Sequence, residues 1–154
     1  MRKLVALVLG LLLLSGLIAG CGGGNGVHRI TGLSPDKVVA TFHERAKAQK
    51  LEEAALYISP TSLTAIRGVG GFLKNDLGLS DVLSSNLLMV KLIAQTGDFA
   101  VVVATLQDGV NSANVTIKPV GLERIDGEWY IVDTATAYRD AKYKLLQNLL
   151  ASVL

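Results

Sequence analysis

The chain has 154 residues, enough for one domain and too few for two independent cores. Half of them are apolar and mean hydropathy is +0.43, but the excess is concentrated in the first twenty residues. Arg2 and Lys3 account for the net charge of +2; without them 13 basic side chains face 13 acidic ones, which excludes the clustered basic surface that nucleic acid requires.

Met1-Arg2-Lys3 is a positive start, and Leu4 to Leu14 is apolar apart from Gly10, as in the core of a secretory signal. The apolar or small run from Leu4 to Gly20 is near the lower limit of a membrane-spanning helix, so an uncleaved anchor is the competing reading. The end of the run decides for export. Ile18-Ala19-Gly20-Cys21 resembles a bacterial lipobox, which implies that Ile18, Ala19 and Gly20 form the peptidase recognition segment and that Cys21 carries the lipid. One acyl chain binds a membrane marginally, at about 0.8 kcal/mol per buried methylene, whereas the two or three on such a cysteine anchor stably. The expected location is therefore the extracytoplasmic side of a cell membrane or outer membrane, with the membrane as first partner.

Cys21 is the sole cysteine, which excludes an intrachain disulfide, and no His, Cys or carboxylate lies near it at metal-ligand spacing. Gly22 to Gly26 reads as a flexible tether, lacking the Lys-Ser/Thr ending of a phosphate loop. The expected organisation is a signal peptide over 1–20, a lipidated cysteine and tether over 21–32, and one domain over 33–154. No metal, cofactor or catalytic residue is expected.

Val27 to Leu33 is mixed in character, and His28 has no partner at ligand spacing. Ser34-Pro35-Asp36 predicts a helix start, with a hydroxyl cap, proline at the first helical position and a carboxylate at the positive end. Val38, Val39, Phe42 and Ala46 recur at helical spacing as the buried face; His43 falls on the flank of that face and is read as a surface or core-edge residue. A second helix is expected from Leu51 to Ile58, with Ala54, Ala55 and Ile58 inward, stopped by Ser59-Pro60. Tyr57 is a candidate for core or pocket. Thr61 or Ser62 then caps a stretch with a stripe of Leu63, Ile66, Gly70, Leu73 and Leu77, weakened by Gly68, Gly70 and Gly71.

Ser80-Asp81 offers another cap, and the apolar residues from Leu87 to Ile93 read either as helix or as buried strand; the expected order is a short helix and then a strand at Leu88 to Ala94, forming a hairpin with the β run of Phe99 to Leu106. From Ala113 to Ile125, Val115 and Ile117 alternate, and Pro119 with Gly121 suggests a bulge or edge kink. Asp126-Gly127 is the favoured two-residue hairpin turn. The last strand, Glu128 to Asp133, has Trp129 and Ile131 on one face and Tyr130 and Val132 on the other, so both faces should be covered. From Thr134 a terminal helix is expected, with Tyr138, Ala141, Leu145, Leu149 and Ser152 on one stripe and Leu146, Leu150 and Val153 widening it. It would pack on the outer face of the sheet or form a dimer or bilayer contact.

Ser34 to Val39, Lys50 to Ala54 and Asp126 to Val132 together resemble small bacterial lipoproteins with a nuclear-transport-factor-2-like, cystatin-like domain, including the DUF4878 group once described as lumazine-binding. The resemblance covers Leu33 to Asp133. It implies an α+β fold, N-terminal helices packed into a curved antiparallel sheet as a cone, with the C-terminal helix as an addition. The expected function is a non-enzymatic module binding an envelope protein or a small apolar ligand, with Phe42, Tyr57, Trp129 and Tyr130 lining a pocket or core. The alternative is an enzyme of the ketosteroid-isomerase type, for which Tyr57, Tyr130 and Asp133 are the nominal groups.

Overall fold

The computed structural model describes residues 27–65 and 84–153. The leader, Cys21, the Gly22 to Gly26 tether, the stripe beyond Ala65 and the Ser80-Asp81 cap lie outside the described residues. In chain order the elements are α1 (Pro35–Lys47), α2 (Leu51–Ala55), α3 (Pro60–Ala65), β1 (Ser85–Thr96), β2 (Phe99–Asp108), β3 (Val115–Ile125), β4 (Glu128–Val132), α4 (Thr134–Arg139), a 3-10 turn (Ala141–Tyr143) and α5 (Lys144–Ala151). This is an α+β fold around one antiparallel four-stranded sheet in the order β1-β2-β3-β4.

Helix α1 starts at Pro35 as the sequence predicts, but the Ser34 hydroxyl does not cap it; Ser34 Oγ donates to Asp36 Oδ1 at 2.6 Å. Val38, Val39, Phe42 and Ala46 are all buried and join Ala54, Tyr57, Ile58, Ala100, Val102, Ala104, Val120, Leu122, Trp129 and Ile131 in the inner core. Removing such an aliphatic or aromatic side chain from water contributes about 1.5–3 kcal/mol each. His43, expected at the edge, is buried with them.

The second helix is shorter than predicted. It ends at Ala55, and Ile58 leaves it to bridge Ile131 in parallel, with the Ile131 N–H donating to Tyr57 O and the Ser59 N–H to Ile131 O, both at 2.8 Å. By leaving the helix after a turn, the Tyr57–Ser59 segment satisfies backbone groups on the free edge of β4, which another helical turn could not do. Ser59-Pro60 is a start, not a stop: α3 begins at Pro60, with the Leu63 N–H on Ser59 O at 2.9 Å.

Strand β1 runs from Ser85 to Thr96, longer than the expected Leu88 to Ala94, and pairs with β2 through two register shifts, at Leu87/Met89 and Leu92/Ala94. The irregularity expected at Pro119 and Gly121 is absent, since β3 pairs with β2 without interruption from Phe99↔Glu123 to Gln107↔Val115. β4 ends opposite Gly121, so Pro119 lies beyond it, where β3 has β2 on one side only and its missing N–H breaks no ladder to β4. Gly121 serves packing: a Cβ there would sit 3.1 Å from both terminal methyls of Leu146 on α5. Asp126 and Gly127, with φ of 50° and 85°, make the predicted turn between Ile125 and Glu128.

Register assigns the two faces. Alternate residues of β2 and β3 face inward, while Val101, Gly121 and Val132 face outward, where Tyr143, Leu146 and Leu150 cover them. The terminal segment is not one helix. Asp140 is extended, with φ −100° and ψ 124°, and resets the phase, so Tyr138 and Leu145 of the expected stripe are exposed, while Leu146 and Leu150, expected to widen it, turn inward with Tyr143, and Leu149 packs beside them. Gly121→Val should therefore overpack the β3–α5 contact and lower stability by about 1–3 kcal/mol. An unchanged urea midpoint would contradict that contact.

Candidate functional site

The outward face also carries a buried charge. Glu123, from the end of β3, is 2% exposed, and its carboxylate collects three donors from two separate segments. Ser59 Oγ donates to Oε1 at 2.5 Å, the Tyr143 hydroxyl to the same oxygen at 2.8 Å, and Lys142 Nζ to Oε2 at 2.5 Å. Local structure supplies each partner. The Ile58–Ile131 bridge sets Ser59 beside β4, and the extended Asp140, whose carboxylate accepts from the Lys142 N–H at 2.9 Å, aims the 3-10 turn at Glu123.

This is a charge-assisted network rather than a bare carboxylate, and its members shift one another. Burial first, then the hydrogen bond to Glu123, raises the pKa of Tyr143. For Lys142 burial is the largest influence and acts downward, but the adjacent Glu123 carboxylate outweighs it and holds the ammonium above its ordinary value. Lys142 is the solvent-facing member, its side chain 49% exposed against 3% for Glu123. His43 titrates in the other direction: burial first, then the charge of Lys47, lowers its pKa. Its Nε2 has no hydrogen-bond partner among the described residues.

The residues singled out in the sequence go to different places. Phe42, Tyr57 and Trp129 are inner core, whereas Tyr130 is half-buried beneath the Arg29 guanidinium, 4.1 Å from its ring centroid. The Tyr57 hydroxyl accepts from the Ile30 N–H at 3.1 Å. Asp133 caps α4, accepting from the Ala135 and Thr136 N–H groups at 3.0 and 2.9 Å, so its carboxylate is engaged in holding a helix start. Tyr57 and Tyr130 thus meet at the Arg29 guanidinium, which lies 5.3 Å from the Tyr57 centroid, while Asp133 is engaged at the start of α4. His28 is exposed. Glu123, Ser59, Lys142 and Tyr143 carry no signal in the sequence: Glu123 stands beside Arg124 and Ile125, which are exposed and half-buried at the end of β3, where a glutamate reads as solvent-facing.

Beside this network, Thr61, Thr136, Arg139, Asp140 and Ala141 line an open depression of about 430 Å³. Among the described residues there is no cluster of three His, Cys, Asp or Glu able to hold a metal, and no helix long and apolar enough to cross a membrane.

The described residues thus define a small α+β domain whose polar centre is a carboxylate buried under its C-terminal segment. No family model and no curated protein match this chain. A SEC-C motif containing protein from Rhodopseudomonas palustris, solved in solution, is similar to it at 11% identity and a TM-score of 0.45, over 65% of this chain and 76% of that one. Neither fold nor function is assigned on that likeness. The resemblance to nuclear-transport-factor-2-like, cystatin-like lipoproteins is corrected here: no family model, theirs included, matches the chain. A Ser-Pro helix start and an Asp-Gly hairpin, which carried the resemblance, serve any α+β chain.

Glu123→Ala should cost about 3–5 kcal/mol, as expected when one partner of a buried ionic network is removed. A loss in urea unfolding no larger than that of an exposed substitution would contradict the network. Because the folded pKa of Tyr143 is raised, its contribution is complete below pH 10.0 and lost as pH rises through the folded value; Tyr143→Phe should flatten the alkaline limb. The lowered pKa of His43 acts oppositely. Its contribution is present above pH 6.5 and lost as pH falls through the folded value, so His43→Leu should flatten the acid limb. Unfolding curves across pH test both.

Proposed function

We propose that this chain is a membrane-anchored bacterial lipoprotein whose extracytoplasmic domain is a non-enzymatic module that binds an envelope protein or a small apolar ligand. The anchor rests on Ile18-Ala19-Gly20-Cys21 at the end of the leader. The binding role rests on the sheet's outward face. The α4–α5 segment covers only its Val101–Gly121–Val132 part, and the rows beyond run Lys91–Val103–Pro119, Met89–Thr105–Ile117 and Asn86–Gln107–Val115. Ile117, Met89 and Val115 there are 66%, 52% and 51% exposed. Scattered exposed apolar residues are ordinary, but residues brought together by strand register form a continuous patch of the kind that binding surfaces use.

The buried carboxylate supports the same reading. Its two oxygens already receive a serine, a tyrosine and a lysine, so it serves as a tie between segments.

Two measurements test the proposal. Cys21→Ser should move the protein out of the membrane fraction or leave the leader uncut; a variant still cleaved and membrane-bound overturns the anchor. The folded domain should bind anilinonaphthalene sulfonate, and the double variant Met89→Lys, Ile117→Lys should lose that binding while its unfolding free energy stays within about 0.5 kcal/mol, as for exposed positions. Equal dye binding would remove the outward face as the binding surface.

A further inference from the structure

The residues just before α1 are bound to the domain rather than continuing as free tether. The Arg29 guanidinium lies over the Tyr130 ring and 5.3 Å from the centroid of Tyr57, pairs with Glu128 Oε2 at 3.1 Å and donates to the Trp129 carbonyl. The Ile30 N–H donates to the Tyr57 hydroxyl, and the Gly32 N–H to both Glu128 oxygens at 2.9 and 3.0 Å. Cation–π contacts, charge-assisted hydrogen bonds from the guanidinium and the Gly32 amide, and a neutral one from the Ile30 amide make Arg29 to Gly32 a strap across the start of β4.

The strap lies at one particular end of the sheet. Glu128 follows the Asp126-Gly127 turn, and the Gly97-Asp98 turn is at the same end, because Asp98 pairs with Arg124 at 2.9 Å and Phe99 lies opposite Glu123. The other end holds Ser85↔Asp108 and Gln107↔Val115. Ten residues of β2 separate the two ends, a distance of about 30 Å.

Resting on the lipid anchor proposed above, we infer that the strap is the fixed exit point of the tether. The end of the domain with the 97–98 and 126–127 turns then faces a lipid headgroup surface, and the end around residues 108–115 is presented away from it. The lengths decide this. Cys21 to Arg29 is eight residues, a reach of at most about 28 Å when fully extended and a root-mean-square span of about 16 Å for a glycine-rich chain. That is shorter than the strands, so the point of exit determines which end is near the membrane. With the strap released the free length extends to Ser34, about 20 Å root-mean-square, and the preference weakens. The charges at the near end are largely paired, Arg29 with Glu128 and Arg124 with Asp98, so proximity comes from the tether and not from attraction to an anionic lipid.

The test uses the full lipidated protein in phosphatidylcholine vesicles. With Cys21 acylated, a cysteine introduced at Gln95 or at Val110 is the single labelling thiol, and quenching of its fluorophore by brominated lipid reports proximity to the bilayer. The expected result is quenching severalfold stronger at Gln95 than at Val110, a ratio that falls towards one in Arg29→Ala and in Glu128→Gln. Hydrogen exchange should show the Ile30 and Gly32 amides protected in the parent and released in both variants while the β2 amides stay protected, which establishes that the variants are folded. Equal quenching at the two sites, a reversed ratio, or a ratio unchanged by either folded variant overturns the inference. Failure of the anchor is distinguished as vesicle flotation that Cys21→Ser does not alter, and it removes the inference as well.

Discussion

The Glu123 carboxylate is the constraint around which the outer half of the molecule is arranged. Taking a carboxylate out of water costs several kcal/mol even after relaxation, and that cost is offset only where donors are held at hydrogen-bond distance. Ser59, Lys142 and Tyr143 meet the requirement, although they lie 64, 19 and 20 residues from Glu123 in the chain. Each depends on a local departure from regular structure. Ser59 needs α2 to stop early so that Ile58 can bridge β4, and the two terminal residues need the helix to break at Asp140. The irregularities of the fold are thus the means by which distant segments reach one acid.

The two faces of the sheet solve different problems. Inside, α1 and the Tyr57–Ile58 segment give a core of apolar side chains in ordinary contact. Outside, one sheet surface changes from the Glu123 network, through the leucines of α5 seated on Gly121, to rows at the far end that α4 and α5 do not reach, where Met89, Val115 and Ile117 are exposed. A short helix suffices as cover because Gly121 lets Leu146 approach the backbone closely.

Much of the architecture was legible in the sequence where a single local rule decides. Ser34-Pro35 with the Val38–Ala46 stripe specified α1, the Val-rich run specified β2, and Asp126-Gly127 specified the last hairpin. The errors fall where tertiary partners override local preference. Pro60 reads equally as the end of one helix or the start of the next, and only the bridge to Ile131 selects the second. Pro119 argues against a central strand until it is seen that β4 does not extend that far. A single helical phase through the terminal segment puts Tyr138 and Leu145 on the apolar face, but the extended Asp140 breaks that phase and leaves Leu146 and Leu150 on the sheet instead. Glu123 was invisible because no sequence pattern announces a serine 64 residues earlier and a tyrosine 20 residues later as its partners. His43 lies on the flank of the α1 stripe, and its burial follows from packing that the helical spacing alone does not show.

The strap has a consequence for how the chain becomes a domain. Arg29 bonds to residues 99 and 100 positions further on, among the most non-local pairings in the fold. Non-local contacts form late, because the loop they close must be ordered before they stabilise it. A chain emerging N-terminus first, from a ribosome or through a narrow pore, cannot seat the strap until β4 has appeared. The intervening segments can collect but cannot lock, so closure of the domain coincides with completion of the sheet and does not precede it.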